Sequence, residues 1–305
     1  VPQRTVFLGT SEFAAEVLRA LDRSPHRPAL VVTPPDRPQG RGRRLASPPV
    51  ADLARELGLE LCQAEQVSES PALERIRRAA PDVGAVCAFG QLIREPLLSE
   101  LELLNVHPSL LPRWRGAAPI ERALMAGDAA TGVSIMRVTE GLDSGPVALQ
   151  ESLAIDPSDD GGSLSRRLAA LGGELLIRAL DARESGELAW RDQDESRMTY
   201  AEKIASTERR LDPSRPAAEL AVLVRALHPH IGAYVGLGDG ERLGVQAATP
   251  IEGTVDEGRL AERGGELLLG TAAGVLRLDE VQPPGGRPMS AEAYLRGHGL
   301  PGRTR

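Results

Sequence analysis

Short apolar runs alternate with helical segments through the first ninety residues, and this alternation constrains the fold more than any other feature of the chain. Val6-Phe7-Leu8 ends at Gly9, and Thr10-Ser11 offers a helix start ahead of Phe13, Val17, Leu18 and Leu21 at helical spacing. Residues 29–33 read as the next buried strand, helices are expected around 50–57 and 71–80, and a strand over 83–88. Parallel pairing needs a crossover between strands, so this order predicts an α/β fold. Its expected form is a doubly wound, mostly parallel sheet with helices on both faces. The first turn, Gly9-Thr10-Ser11-Glu12-Phe13, lacks the second and third glycines of a dinucleotide fingerprint. A pyrophosphate would have no close backbone approach there, so the turn is expected to be a helix N-terminus at the edge of a crevice rather than a nicotinamide site.

Further along, 131–138 and 147–155 read as a strand pair joined through a turn at Asp143. Leu164, Leu168, Leu171, Leu175 and Ala179 give 162–180 one apolar helical face. Residues 190–206 are polar and mixed, as suits an inter-domain linker, and 216–226 should be helical. Strands are then expected at 233–237, 243–247, 253–255, 266–270 and 275–281. Five short strands separated by turn residues suggest a small barrel of the oligonucleotide-binding kind, with an unrelated β-domain as the alternative. The domains predicted are 1–189, a linker at 190–207, and 208–305.

A chain of 305 residues suits two such domains. Aromatic residues make up only 3% of it, so leucine, valine and alanine must build the cores. The net charge of −7 excludes a protein coated in positive potential, and any nucleic-acid contact must come from local patches. Cys62 and Cys87 fit neither a CxxC motif nor a disulfide framework, as expected of a reduced, cytoplasmic protein. No apolar run approaches the roughly 18 residues that would span a bilayer, so no membrane partner is expected.

The chemistry-bearing residues sit in two segments. Asn105 and His107 flank one apolar residue, so on a strand end both side chains face the same way. Asp143 lies in the glycine-bounded turn Gly141-Leu142-Asp143-Ser144-Gly145. An amide, an imidazole and a carboxylate are equipment for stabilising a developing oxyanion and moving a proton in acyl transfer. The plainer alternative is a buried histidine at a strand–loop junction with a capping aspartate. A separate signal is the stretch 35–44, with Arg37, Arg41, Arg43 and Arg44 spaced by proline and glycine. Arginine forks pair well with phosphate, although a solvated charged loop would look similar.

Asn105, His107, Asp143 and the sequence Ser109-Leu110-Leu111-Pro112-Arg113-Trp114-Arg115-Gly116 closely resemble the catalytic segment of folate-dependent formyltransferases. The resemblance implies that Asn105 and His107 stabilise an oxyanion while Asp143 orients His107 and assists proton removal. It also implies that Ser109, Leu110, Leu111 and Pro112 lie against reduced folate. Phe89, Gly90, Gln91 and Ile93 resemble the segment lining the pterin pocket. The arginine stretch is similar to an insertion in the branch of the family that formylates initiator methionyl-tRNA, where Arg41 falls on the key arginine.

On this reading the donor is 10-formyltetrahydrofolate, the partner is initiator methionyl-tRNA, no metal is used, and a monomer is expected. Rival readings are a formyltransferase for a nucleotide-linked amino sugar and a formyltetrahydrofolate hydrolase. Two departures stand out. Residues 208–305 hold twelve arginines against thirteen acidic residues, 12 − 13 = −1, where the family presents positive charge. His228-Pro229-His230 replaces a pattern that usually carries tryptophan, and without a third ligand nearby the two histidines do not predict a metal site.

Overall fold

Every residue of Thr5–Gly9 (β1) is buried, as the uninterrupted apolar run requires of a strand covered on both faces. The computed structural model describes residues 2–39, 44–238 and 240–301. Around β1 stand Pro28–Thr33 (β2), Leu61–Gln63 (β3), Val83–Cys87 (β4), Leu103–His107 (β5), Ala130–Arg137 (β6) and Val147–Ala154 (β7). They are ordered β7-β6-β5-β4-β1-β2-β3. The five strands from β3 to β5 pair in parallel, and β6 and β7 join as an antiparallel edge. The strand β3, which the sequence pattern did not announce, is only three residues long.

Helices cover both faces of this sheet. On one, Val6, Leu8, Leu30 and Val32 share a core with Leu73 and Ile76 of the helix Ala72–Ala79. On the other lies the helix Gly161–Ser185, whose Gly172 sits so close that a Cβ there would be 2.8 Å from Val106. Val106 therefore faces this helix, and Asn105 and His107, its neighbours on β5, face the opposite way. The helix Glu12–Asp22 begins where expected, with the Ser11 side chain accepting from the Ala14 N–H.

The chain divides into two units. The first comprises the residues up to Pro119 together with Ala130–Ala154 and Ser165–Ala201; the second comprises Ile120–Ala129, Ile155–Leu164 and the chain from Glu202 onward. Residues 190–201, expected to act as a linker, are thus part of the first unit. Arg191 and Val147 exchange backbone hydrogen bonds, and Tyr200–Ala201 pairs in parallel with Arg115–Gly116. The polar side chains that suggested a linker, Gln193, Glu195 and Thr199 among them, bond inward to the first unit alongside the backbone.

In the second unit the strands are Ala233–Gly236 (β8), Arg242–Ile251 (β9), Leu260–Arg263 (β10), Glu266–Gly270 (β11), Val275–Gln282 (β12) and Met289–Ser290 (β13). They form an antiparallel sheet ordered β8-β9-β12-β11-β10, with β13 on β12. Leu220, Leu223, Val224 and Leu227 of the helix Ala217–Leu227 share its core with Val235, Leu243, Leu267 and Leu276. The strand expected at 253–255 is absent, and Gly253 stands there at φ +142°. The missed partner of β11 is β10, joined to it through Gly264 and Gly265 at φ +60° and +85°. Two residues at positive φ match the right-handed twist of a hairpin, a turn signal that outweighs the polar composition of β10.

No helix among the described residues is long and apolar enough to cross a membrane. His26, Asp181 and Glu184 lie close enough together to suggest a cation. However, His26 Nδ1 accepts from the Gln3 N–H and its Nε2 bonds to Asp181, so both ring nitrogens are engaged in holding chain segments together.

Burial pushes the Glu121 carboxyl above the ordinary range, against the opposing effects of its own N–H, His230 and Arg122. A raised carboxylate disfavours folding only when ionised. The penalty is absent below about pH 4, the unfolded range, and complete once pH has risen past the folded value. Glu121→Gln should therefore raise the melting temperature by about 1–3 °C at pH 7 and by nothing at pH 3.5. Thermal unfolding at the two pH values checks this, and an equal gain at both would refute it.

Candidate active site

The parallel strands β4 and β5 end beside each other, and a cleft of about 520 Å³ opens at their carboxyl ends. Its wall is formed by 88–93 after β4, by Asn105 to Pro108 of β5 and its continuation, by Gly116, Ala117 and Pro119, and by 138–143 after β6. All these residues belong to the first unit. Asn105, His107 and Asp143 are brought together here, together with Phe89, Gly90, Gln91 and Ile93. Leu92 and Leu142, not singled out from the sequence, also line the cleft and are 65% and 62% exposed. Thr10 Oγ1 donates to the Phe89 carbonyl, which ties the first βα turn to this wall.

His107 is buried, and its Nε2 lies 2.9 Å from the carbonyl oxygen of Trp114. A carbonyl can only accept, so Nε2 carries a proton and Nδ1 is the nitrogen left for other chemistry. Asp143 Oδ2 lies 3.7 Å from Nδ1, too far for a direct hydrogen bond, and it accepts the Gly116 N–H at 2.8 Å. The Trp114 carbonyl fixes the tautomer and orientation of His107, while the Gly116 amide holds the carboxylate within one water of the ring. Among the described residues, none takes up the Asn105 side-chain amide in a hydrogen bond, so its N–H groups remain available on the cleft wall.

Backbone geometry around the ring is unusual. Trp114 has φ +64° and Asp143 φ +44°. Aspartate tolerates the left-handed region through its short polar side chain, but a bulky residue there costs on the order of 1–3 kcal/mol and must be held from outside. The holding segment is 193–201. Trp114 N–H donates to Thr199 Oγ1, Arg115 N–H to the Thr199 carbonyl, and Ala117 N–H to the Ala201 carbonyl.

Ser109, Leu110, Leu111 and Pro112 are not among the residues lining the cleft; the segment reaches it through Pro108. Ser109 Oγ donates to the Arg113 carbonyl, and its own carbonyl accepts from Ser134 Oγ. Leu111 packs against Met136 and Val147, and its carbonyl accepts from Gln150. This turn shapes the loop that carries Trp114. Gln91 lines the cleft, but its amide bridges the Ala64 carbonyl and the Val67 N–H. Of the arginine stretch, Arg37 pairs with Glu65 at 2.6 Å in a two-stranded hairpin made by Arg37–Gln39 and Arg44–Ala46. Arg41 and Arg43 lie outside the described residues.

Residues 3–180 match the formyl transferase family, and 203–299 match the family described as formyl transferase, C-terminal domain. The methionyl-tRNA formyltransferase of Methylococcus capsulatus is 43% identical over 98% of this chain and 98% of its own length. The chain belongs to the methionyl-tRNA formyltransferase family. The enzyme of that name from Methylobacillus flagellatus is 42% identical over 97% of both chains.

Solved structures extend the likeness at the level of fold. HypX from Aquifex aeolicus, crystallised with tetrahydrofolic acid, aligns over 97% of this chain and 47% of its own, at 18% identity and a TM-score of 0.67. The chain thus spans about half of that protein. An N-formyltransferase from Helicobacter canadensis, solved with folinic acid and dTDP-3-aminofucose, aligns over 90% of this chain and 98% of its own, at 12% identity and a TM-score of 0.65.

The glycine that closes the turn of this formyltransferase has a definite steric reason. A Cβ on Gly145 would lie 2.0 Å from the carbonyl oxygen of Arg137, at the end of β6. Gly145→Ala must push the turn away from β6 and carry Asp143 with it. The expected cost is about 2 kcal/mol or more, read as a fall of roughly 4–8 °C in melting temperature together with lost turnover. A variant that melts and turns over like the parent would show that the turn has room to give.

Proposed function

We propose that this chain transfers the formyl group of 10-formyltetrahydrofolate to the α-amine of methionine carried on initiator tRNA, in translation initiation. The observation that carries the reading is the convergence of Asn105, His107 and Asp143 on one cleft, in a chain more than 40% identical to full-length methionyl-tRNA formyltransferases. A cleft of about 520 Å³, walled by Val86, Phe89, Ile93 and Val138 with a few convergent polar groups, suits an extended aromatic donor such as a reduced folate. Phe89, Gly90, Gln91 and Ile93 form its pterin wall; the turn 109–112 acts from behind, through the loop that it shapes. No metal is needed for the steps below.

The donor supplies a formyl carbon whose oxygen gains negative charge as the amine attacks. Asn105 donates an amide N–H to that oxygen, and His107 donates a second hydrogen bond when its Nδ1 carries a proton. One such donor is worth about 3–4 kcal/mol of barrier. The amine nitrogen forms its bond to the formyl carbon and gives up a proton. Asp143 receives that proton through water, the bond from the carbon to folate N10 breaks, and Asp143 returns the proton to N10 through water, which restores the carboxylate. No side chain forms a covalent bond, since the amine is the nucleophile. Arg37, Arg41, Arg43 and Arg44 supply phosphate contacts to the acceptor stem, in keeping with a sequence-independent grip. On this reading the enzyme acts in the cytoplasm as a monomer.

The test is formyl transfer from labelled 10-formyltetrahydrofolate, with methionyl initiator tRNA compared against methionyl elongator tRNA. The parent should strongly prefer the initiator; indifference to the tRNA, or a preference for a nucleotide-linked amino sugar, would overturn the reading. Asp143→Asn keeps the size and backbone preference of the residue, and kcat should fall about 10²–10⁴-fold. Near-parental turnover would remove Asp143 from the mechanism. Arg41→Ala should raise KM for the tRNA at least tenfold and leave folate binding within twofold, whereas equal effects on both ligands would contradict the loop assignment.

A further inference from the structure

Gln193 reaches the candidate active site without touching the cleft. Its Nε2 donates to two carbonyls of the catalytic turn, that of Asp143 at 2.8 Å and that of Gly145 at 2.7 Å. Its Oε1 accepts from Arg115 Nε at 3.0 Å. The chemistry allows one orientation of this amide. Carbonyl oxygens cannot donate and a guanidinium cannot accept, so a flipped amide would lose all three hydrogen bonds. Arg115 is held in turn. It is 3% exposed, and its two terminal nitrogens make a bidentate pair with Glu195 at 3.0 and 2.6 Å. The Arg115 fork holds the Glu195 carboxyl below its ordinary range.

Asp143 is thereby fixed from both sides of its own backbone. The Gly116 N–H holds the carboxylate, and Gln193 holds the carbonyls of residues 143 and 145. Asp143 Oδ2 and His107 Nδ1 stand at 3.7 Å, within ion-pair range but without a direct hydrogen bond, so their separation depends on how the turn is held. At φ +44° the Asp143 backbone also needs outside support.

We propose that Gln193 is a positioning residue for formyl transfer, with Arg115 and Glu195 as its anchor, acting by setting where the Asp143 carboxylate stands relative to His107 Nδ1. This rests on the role given to Asp143 above. A displacement of the order of 1 Å in a reacting group can cost about a hundredfold in rate. The loss should fall on kcat, since Gln193 touches neither ligand.

Gln193→Ala and the nearly isosteric Gln193→Glu separate this from a merely structural role. The glutamate turns a donor into an oxygen facing two carbonyls, so it should harm the turn at least as much as alanine does. Both variants should lower kcat about 10- to 100-fold, with KM for 10-formyltetrahydrofolate and for methionyl initiator tRNA within twofold of the parent. Ser196→Ala, on the same segment but bonded to Asp194 rather than to the turn, should stay within twofold in kcat.

In an Asp143→Asn background, Gln193→Ala should cost less than about threefold more, because residues acting through one group are not additive. The proposal is overturned if both Gln193 variants keep kcat within twofold, if their loss follows only the fraction unfolded in thermal melts, or if the losses multiply in the double variant. Asp143→Asn with parental kcat would instead overturn the functional reading. An inactive Asp143→Asn beside fully active Gln193 variants sinks this proposal alone.

Discussion

The hydrogen bond from His107 Nε2 to the Trp114 carbonyl governs the rest of the site. It commits one nitrogen of the ring to the protein and leaves Nδ1 as the single nitrogen that can exchange a proton with the cleft. The direction in which β5 presents His107 follows from strand alternation. The acceptor is less simple, because Trp114 must adopt a backbone conformation that a bulky residue avoids. Much of the surrounding architecture keeps that carbonyl in place: the turn after β5, the short parallel pairing of Arg115–Gly116 with Tyr200–Ala201, and the Thr199 side chain under the Trp114 amide.

Three stretches far apart in sequence, 112–117, 141–145 and 193–201, hold one another through main-chain groups together with the side chains of Asp143, Gln193 and Thr199. Gly116 gives its N–H to the Asp143 carboxylate, and Ala117 gives its own to the Ala201 carbonyl. Gly145 sits against the Arg137 carbonyl with no space for a side chain. The parallel sheet sets the location of the crevice, and this interlocking of loops sets the atoms inside it.

The sheet and its helices were legible because burial on two faces writes a plain signal. The apolar runs of β1 and β2 and the helical spacing after Ser11 could hardly fit anything else. The meeting of Asn105, His107 and Asp143 on one cleft was legible because Asn105 and His107 share a strand face and Asp143 is bracketed by glycines. Other parts escaped, the three-residue strand β3 among them. The edge strand β10 is four residues long and half of them are charged, and its place is decided by the glycine pair at its turn. The segment 190–201 reads as a linker because its side chains are polar, yet its backbone pairs with the first unit. The segment Ser109 to Pro112, which the family resemblance puts against reduced folate, is held locally by contacts the sequence does not announce: Leu111 faces Met136 and Val147, and Ser109 bonds within its own loop.

The partner of His107 is a peptide oxygen, an atom that every amino acid carries. Exchanging the indole at position 114 for another side chain leaves that oxygen in existence, and only a change in the path of the chain can withdraw it. Variation at this position among relatives is therefore a poor guide to its importance. Scanning mutagenesis at 114 alone would underrate it too, whereas an ester in place of the next peptide link, which weakens the oxygen as an acceptor, would expose it.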